Sequence, residues 1–409
     1  MNTKVAALII IGIVIIGASV AIILLSGQEE SSIEEAIDTN IQSLMEEGDI
    51  PSLAAAIIVN DTMIWSQGYG DQSHVDAVYM IGSVTKMFTA TAIMQLVEND
   101  TLDLDTDINT YLPFSVRHPN YPSTPVTLRM LLSHRSGISR NIANKTLWDF
   151  DVEMITWANE HLDAGIEIWN ARPTLATFLN ESLDPAGRYY SPDNWGPQPG
   201  SDWEYSGTGY LLLAYIVEQV SNQSFAEYLQ AHVFYPLDMP STGYDYAAFT
   251  GRNAIPYERR DEVNFAYPIY NHYDVGGGGL RSTVTDLSHF LIAHMNQGQY
   301  RTTQILQSNT VNLMQTSQYS MFGHELGGFT YMGHGLGWPL FEDHIIGHSG
   351  ATPGYLAQIA FQTVGHTKYG IVFILNRGSS LVHDEYVLDT FFPAMVTLLF
   401  YEAVQRAAS

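Results

Sequence analysis

The stretch YMIGSVTKMFTA, residues 79–90, decides how the fold is interpreted, because it places a serine and a lysine three residues apart in an apolar segment. The pattern from Ser83 to about Asn99 predicts a helix that begins at the serine. Since residues at i and i+3 share one face of a helix, the Lys86 side chain can reach the Ser83 hydroxyl. The chain of 409 residues has only four lysines, which are Lys4, Lys86, Lys145 and Lys368.

This pairing of residue types points to a nucleophile and its base. A serine hydroxyl is a weak nucleophile that needs an adjacent base. The amine of Lys86 can be that base only where its surroundings disfavour the charged form. Apolar neighbours favour such burial, namely Met80, Ile81, Met87 and Phe88. The S-x-x-K pattern alone is frequent by chance, so a solvated lysine on a surface helix is the alternative for this motif in isolation.

Two later stretches carry further candidate residues. Tyr205 lies just before an apolar helical pattern in PGSDWEYSGTGY (199–210), where a phenol can relay a proton between a serine and a leaving group. His348 lies in IGHSGATPGY (346–355) and can supply a hydrogen bond or a proton. The small residues that follow it, Gly350 among them, allow a substrate to approach the backbone closely.

Taken together, the three motifs resemble those of the serine β-lactamase and penicillin-binding-protein superfamily in order and spacing. They are Ser83-Val84-Thr85-Lys86, Tyr205-Ser206-Gly207 and His348-Ser349-Gly350. The closest likeness is to the class C-like branch, which also holds esterases and D-amino-acid peptidases. Supporting segments include TLRMLLSHRSGI (127–138) and GGGGLRSTVTDLSHFL (276–291), and the likeness runs from about residue 33 to residue 400.

The resemblance implies a role for each matched residue. Ser83 is the nucleophile that forms an acyl-enzyme, Lys86 is its base, and Tyr205 is the second proton-transfer group. The backbone N–H groups of Ser83 and Ala351 form the oxyanion hole, which acts where negative charge develops. No cofactor and no metal ion is expected.

Two departures from the family pattern fall on residues that the resemblance places beside the substrate. The second motif usually ends in asparagine, whereas position 207 is Gly207, so the amide that contacts the lysine and the substrate is missing. The third motif usually begins with lysine in β-lactamases and D,D-peptidases, whereas position 348 is His348, which is mostly neutral at pH 7 when unperturbed. Both changes disfavour β-lactams and peptides that end in a carboxylate, and they favour esterase or aminopeptidase-like activity.

The order of the elements predicts the fold class. Strand patterns occur near both ends, as the hairpin SLAAAIIVNDTMIWSQGYG (52–70) and the pair YLAQIAFQTV (355–364) and YGIVFILNR (369–377). Between them, roughly residues 100–275 read as mostly helical, with LRMLLSH (128–134) and GYLLLAYIVEQVSNQSFAEYLQAHVF (209–234) as the clearest helices. We therefore expect an α/β domain in which helices flank an antiparallel sheet and a mostly helical region is inserted. Thr283 and Asp286 predict a helix start, and a closing helix is expected to kink near Pro393.

The N-terminal residues predict a membrane anchor. Val5 to Leu25 contain no charge, and this length matches the hydrocarbon thickness of a bilayer. We therefore divide the chain into an uncleaved membrane anchor (a signal-anchor) at residues 1–30 and a hydrolase domain at residues 31–409. Lys4 on one side and Glu29 and Glu30 on the other predict a single-pass membrane protein whose catalytic domain lies outside the cytoplasm. A cleaved signal peptide is the alternative.

Composition excludes several classes of function. Acidic residues outnumber basic ones 43 to 17, a net charge of −26, so a nucleic-acid partner is not expected. The absence of cysteine excludes disulfides and thiol chemistry. A zinc site formed by His324, His334, His344 and His348 is not expected, because the segment around the last two is too short a helix to present them on one face. His134 in LLSHRSG is expected to be a hydrogen-bonded structural histidine.

These observations lead to one preferred function and two alternatives. The preferred one is an extracytoplasmic serine hydrolase that acts on small esters, or on amides of D-amino acids or short peptides. A β-lactamase or D,D-carboxypeptidase is the alternative within the enzymes. A non-catalytic surface protein that uses the fold for binding or as a scaffold is the alternative from another class. The sequence leaves the oligomeric state open.

Overall fold

In this computed structural model, the structure describes residues 33–71, 74–140, 142, 149–162, 164–166, 168, 172–260, 263–326, 329–378, 384 and 386–408. The predicted anchor at residues 1–30 lies outside them. The strands are β1 Ser52–Val59, β2 Thr62–Gly70, β3 Tyr79–Met80, β4 Tyr257–Arg260, β5 Val263–Ala266, β6 Arg281–Ser282, β7 Gln299–Tyr300, β8 Thr303–Gln304, β9 Ser320–Leu326, β10 Phe329–His334, β11 Pro339–Phe341, β12 Ile346–Thr352, β13 Tyr355–Val364 and β14 Thr367–Leu375. The α-helices are α1 Ile33–Gly48, α2 Thr85–Glu98, α3 Leu128–Leu132, α4 Val152–Leu162, α5 Leu175–Leu183, α6 Gly207–Ser221, α7 Phe225–Leu229, α8 Val284–Met295, α9 Ser308–Met314 and α10 Phe392–Ala408.

One antiparallel sheet of eight strands organises the protein, in the order β2-β1-β14-β13-β12-β11-β10-β9. Its strands come from both ends of the chain, and they meet where β1 pairs with β14, with Ile57 opposite Ile371. The described residues between β2 and β9 contribute helices and three short two-stranded sheets. The predicted α/β class with an antiparallel sheet is therefore confirmed.

Strand β1 shows how the sheet is covered on both faces. Its sequence SLAAAIIV is apolar at nearly every position, and successive side chains of a strand point to opposite faces. Ala54 and Ile58 belong to the core under α2 and α8, whereas Leu53 and Ile57 belong to the core under α1 and α10. Fully burying one leucine or isoleucine side chain contributes about 1.5–3 kcal/mol, so a strand buried on both faces anchors both layers.

Local signals account for most element boundaries. The hairpin turns at Asn60, which has a φ of 56°, a conformation that asparagine tolerates better than most residues. Helix α8 begins where the Thr283 hydroxyl accepts a hydrogen bond from the Asp286 N–H at 3.1 Å, as predicted. The closing helix changes from the π-type turns of Tyr386–Phe391 to α10 one residue before Pro393, and the kink itself stays a prediction.

Two predicted helices differ from the structure. The serine does not begin α2, because Gly82–Val84 form a 3₁₀ turn that the α-helix continues from Thr85. The helix expected over residues 209–234 is broken, since α6 ends at Ser221 and Asn222 adopts a left-handed conformation with a φ of 54°. Ser224 then caps α7 through a reciprocal capping box with Glu227.

Among the described residues, one helical segment, Tyr386–Ala408, is long and apolar enough to cross a membrane. Of the most apolar 18 residues of this segment, 67% are buried inside the protein. Met395 and Leu399 pack against the sheet in the same core as α1. This segment is therefore accounted for as a core helix.

His294 is a titratable group buried at the end of α8. Its Nε2 lies 3.1 Å from the Thr91 hydroxyl, and its ring contacts Trp338 at 4.7 Å between centroids. Burial lowers the pKa of His294 to about 3. An unfolded histidine titrates near pH 6.5, so the unfolded chain binds more protons than the folded chain between about pH 6.5 and 3.

We predict that the free energy of unfolding falls as the pH drops below about 6.5. His294 contributes a slope of about 1.4 kcal/mol per pH unit, because its folded form stays neutral while the unfolded form becomes charged. Urea titrations at pH 7.5, 6 and 5 measure this dependence. The slope is expected to decrease in His294→Gln and to persist in His366→Gln, in which the exposed side chain lies in the turn after β13. An identical slope in the two variants would contradict the prediction.

Candidate active site

Ser83 lies in a turn between a short strand and a helix. Strand β3 leads into the 3₁₀ turn Gly82–Val84, and α2 follows directly. Gly82 has a φ of 51°, a conformation that favours glycine. Val84 is buried, whereas Ser83 is partly exposed, so the hydroxyl is held on a fixed turn and remains accessible.

Lys86 is buried beside that hydroxyl. Its side chain reaches Ser83 Oγ, with Nζ at 3.2 Å, and Lys86 is 2% exposed. Nζ also donates a hydrogen bond of 2.6 Å to the Gly277 carbonyl oxygen. The predicted contact between serine and lysine is therefore present, although a 3₁₀ turn and not an α-helix provides the three-residue spacing.

No ion pair between described residues includes Lys86. The amine faces a carbonyl oxygen, a hydroxyl and two aromatic rings, with Nζ 4.9 Å from the Tyr205 ring centroid and 5.7 Å from that of Tyr210. A carboxylate at this point would favour the charged form strongly. Among the described residues, the amine thus has no carboxylate partner and is in contact with the serine hydroxyl.

Tyr205 completes a three-residue cluster. Its hydroxyl donates a hydrogen bond of 2.7 Å to Ser83 Oγ. The residue precedes α6, whose N-cap Ser206 accepts a hydrogen bond from the Gly209 N–H at 3.0 Å. This cap fixes the direction of the chain just after the tyrosine, at the start of the helix. The Lys86 amine and the Tyr205 hydroxyl therefore both contact Ser83 Oγ.

His134 packs against the ring of Tyr205 and binds the backbone of the next residue. Its Nδ1 accepts a hydrogen bond from the Ser206 N–H at 3.1 Å, and its ring lies 4.4 Å from the ring of Tyr205. Burial, followed by the nearby His334 and Lys86, lowers the pKa of His134 well below its usual value. A neutral histidine that accepts at Nδ1 carries its proton on Nε2. The expected structural histidine is therefore hydrogen-bonded.

The third motif lies on β12, directly against the serine turn. A Cβ atom at Gly350 would lie 1.9 Å from the Ile81 carbonyl oxygen and 2.9 Å from the Ser83 nitrogen. A Cβ atom at Gly82 would lie 2.7 Å from the Ala351 nitrogen. The backbone N–H groups of Ser83 and Ala351 thus belong to two segments in close contact, as an oxyanion hole requires.

Gly350→Ala is predicted to push β12 away from the serine turn. We expect a loss of about 1–3 kcal/mol in unfolding free energy from overpacking, and a loss of labelling by a fluorophosphonate probe beyond what the lower stability explains. Thermal denaturation and the labelling rate measure the two effects. The control is Gly365→Ala, where φ is 65° but nothing lies within 4 Å of the added Cβ, so only local backbone strain is introduced. Equal labelling rates in the two variants would be inconsistent with a role for this contact.

His348 is buried rather than presented to solvent. It is 4% exposed, and its Nδ1 donates a hydrogen bond of 2.5 Å to the Ser349 carbonyl oxygen. Burial, with a further contribution from Lys86, lowers the pKa of His348 to about 3. The third motif therefore supplies no positive charge at pH 7.

Gly207, the first residue of α6, has no side chain to contact the lysine. The contact comes instead from the Gly277 carbonyl oxygen, in the run Gly276–Gly279. This residue was not predicted as part of the site, although a run of glycines is a signal for close backbone approach. A Cβ atom at Gly276 would lie 2.2 Å from the Tyr210 carbonyl oxygen, so the run has to pack tightly against α6.

The structure brings no group of three or more metal-ligating side chains together among the described residues. Two of the four histidines considered for zinc are buried near Lys86: burial lowers the pKa of His334 to about 4, and the Nδ1 of its ring donates to the Gly335 carbonyl oxygen at 2.9 Å. His134 and His334 lie 5.0 Å apart between ring centroids. The histidines thus form neutral surroundings for the amine.

The chain belongs to the beta-lactamase family, whose model matches residues 37–389. The resemblance inferred from the three motifs is therefore confirmed. Among curated proteins, the chain is similar to Protein flp of Staphylococcus aureus, with 26% identity over 359 residues, which cover 85% of this chain and 64% of that protein. It is also similar to Penicillin-binding protein 4* of Bacillus subtilis, with 25% identity, covering 79% of this chain and 67% of that protein. The match therefore spans about two thirds of the length of these relatives.

Solved structures support the same fold. The octameric penicillin-binding protein homologue from Pyrococcus abyssi superposes with a TM-score of 0.70 and 24% identity, covering 91% of this chain and 77% of that one. The D-amino acid amidase from Ochrobactrum anthropi superposes with a TM-score of 0.66 and 20% identity, covering 92% of this chain and 100% of that one. At these identities the likeness concerns the fold alone.

Lys86→Met is predicted to slow acylation of Ser83 by at least about 10², because general-base assistance typically contributes 10²–10⁴ in rate. The labelling rate with a fluorophosphonate probe measures the effect. The matched control is Lys368→Met. Lys368 also donates a hydrogen bond to a backbone carbonyl, that of Met295, but it is the second residue of β14 and has no contact with Ser83 among the described hydrogen bonds. Similar labelling rates in the two variants would show that Lys86 is not the base.

Proposed function

We propose that this protein is a serine hydrolase that cleaves small esters, or amides of D-amino acids or short peptides, through an acyl-enzyme on Ser83. The observation that carries the proposal is the convergence of Lys86 Nζ and the Tyr205 hydroxyl on Ser83 Oγ, at 3.2 Å and 2.7 Å. A structural serine on a surface helix needs neither contact. The alternative of a non-catalytic scaffold does not account for a buried lysine directed at a serine.

The steps follow from these contacts. Lys86 takes the proton of Ser83 Oγ as the oxygen attacks the substrate carbonyl carbon. The negative charge that develops on the carbonyl oxygen is held by the backbone N–H groups of Ser83 and Ala351. Tyr205 passes a proton to the leaving group, whose departure completes the acyl-enzyme. Water then attacks the ester carbonyl and gives a proton to Lys86 or Tyr205, which passes it to Ser83 Oγ as the acyl product leaves.

The surroundings of the serine favour simple esters and amides over β-lactams. His348 is neutral at pH 7 and buried, so it does not provide the cation that the third motif supplies in β-lactamases and D,D-peptidases. Gly207 lacks the amide that would hold an acyl side chain. A small or weakly held acyl group fits a site with these two features better than the crowded side chain of a β-lactam.

The location of the activity is part of the proposal. The apolar run from Val5 to Leu25 is long enough to span a bilayer and is followed within ten residues by four glutamates. We propose that it holds the protein at the cell membrane with residues 31–409 outside the cytoplasm. Sedimentation of the full chain with membranes, reversed by detergent, tests this placement, and a mature protein that lacks residues 1–26 would overturn it.

Intact-protein mass spectrometry tests the chemistry. After mixing with 4-nitrophenyl acetate, the wild type is expected to carry one acetyl group on Ser83, and Ser83→Ala is expected to carry none. Rates with 4-nitrophenyl acetate, a D-alanyl anilide and nitrocefin then rank the substrate classes, with nitrocefin slowest. Faster turnover of nitrocefin than of the ester would favour the β-lactamase alternative. A folded wild type that forms no adduct would favour the scaffold.

A further inference from the structure

One exposed arginine lies at the active site. Arg140 lies eight residues after the end of α3 and is exposed, and its guanidinium carbon is 5.3 Å from the centroid of the Tyr205 ring. The hydroxyl of that ring contacts Ser83 Oγ. A single aromatic ring therefore separates the guanidinium from the nucleophile.

The backbone of Arg140 is fixed while its guanidinium stays available. Its N–H donates a hydrogen bond of 3.1 Å to Glu204 Oε1, next to Tyr205 in the chain. Within the described part of the chain, no ion pair involves the Arg140 guanidinium. Guanidinium is always charged and presents its donors in a planar fork that fits a carboxylate.

The other basic groups near Ser83 are occupied or neutral. Lys86 is buried and donates to the Gly277 carbonyl oxygen. Arg135 donates to the carbonyl oxygens of Gly200 and Ser201 and lies over the Tyr319 ring, 5.0 Å from its centroid. His348 is neutral at pH 7. Among the described residues near Ser83, Arg140 is thus an exposed permanent charge that can meet a ligand.

The position of Arg140 is significant for an anionic ligand because the rest of the chain is acidic. With 43 acidic and 17 basic residues, most of the surface repels an anion, whereas the exposed Arg140 places a guanidinium beside the ring of Tyr205. A positive region inside a negative surface directs an anionic group to one place. It thereby orients a substrate as well as attracting it.

We propose that Arg140 binds a carboxylate of the substrate, located a few bonds from the carbonyl carbon that Ser83 attacks. This inference rests on the proposed hydrolase function and specifies its substrate class. The carboxylate belongs either to the acyl part of the substrate or to the leaving group. Both sources present the same chemistry to the guanidinium.

Two pairs of esters separate these sources. For the acyl part, 4-nitrophenyl hydrogen adipate is compared with its methyl ester, which has the same chain without the charge. For the leaving group, 3-acetoxybenzoate is compared with methyl 3-acetoxybenzoate. The measured quantity is the ratio of kcat/KM for the charged ester to kcat/KM for its uncharged partner.

In at least one pair, Arg140→Gln is expected to lower this ratio by about tenfold or more, because a charge-assisted hydrogen bond to the carboxylate is lost. Arg140→Lys should retain part of the ratio. The control is Arg301→Gln, an exposed arginine between β7 and β8 that pairs with Asp238 at 3.1 Å, and it should keep the wild-type ratio. Raising the ionic strength should lower the ratio in the wild type but not in Arg140→Gln.

Three outcomes would overturn the inference, and they differ in what else they affect. If the ratio is unchanged in both pairs while the uncharged esters are still hydrolysed, Arg140 binds no carboxylate and the hydrolase function stands. If charged and uncharged esters lose rate equally, Arg140 acts through Tyr205 and not on the substrate. If the wild type hydrolyses none of the esters and forms no adduct on Ser83, the proposed function itself fails.

Discussion

The burial of one amine beside one hydroxyl is the constraint on which the rest of the site depends. The pocket that holds the Lys86 amine against Ser83 Oγ has to be assembled from distant parts of the chain. The glycine-rich backbone at Gly276–Gly279 supplies a carbonyl oxygen that accepts a hydrogen bond from the amine. The rings of Tyr205, just before α6, and Tyr210, within it, lie beside the amine, and the third motif contributes the neutral His348. Of these groups, only His348 lies on a strand of the eight-stranded sheet.

The histidines near the amine act together through their neutrality. Burial keeps the pKa values of His134, His334 and His348 below the physiological range. They fill space and make hydrogen bonds to backbone groups without adding charge next to Lys86. Wherever a substrate requires a charged partner, that partner has to come from the rim of the site, where Arg140 lies.

Much of this could be predicted from the sequence, for identifiable physical reasons. Apolar runs rich in β-branched residues predict the strands β1, β13 and β14. Ser83, Lys86 and Tyr205 lie in short motifs that can be recognised from neighbouring residues in the sequence. Contacts made over long distances in the chain were not predictable. The Gly277 carbonyl contacts Lys86 across 191 positions, and no local pattern encodes such a partner. The break at Asn222 was missed because the apolar spacing continues on both sides of a residue whose left-handed conformation interrupts the helix.

The pairing of β1 with β14 has a consequence for how the protein is made. Residues 53–59 lie opposite residues 369–375, so the centre of the sheet cannot close until the polypeptide has been synthesised through β14, more than 300 positions after β1. Contacts between such distant positions slow folding, because a long loop must be ordered before the pairing stabilises it. Until β14 has been made, the β1–β2 hairpin has an unpaired apolar edge, which is a site where another chain can pair.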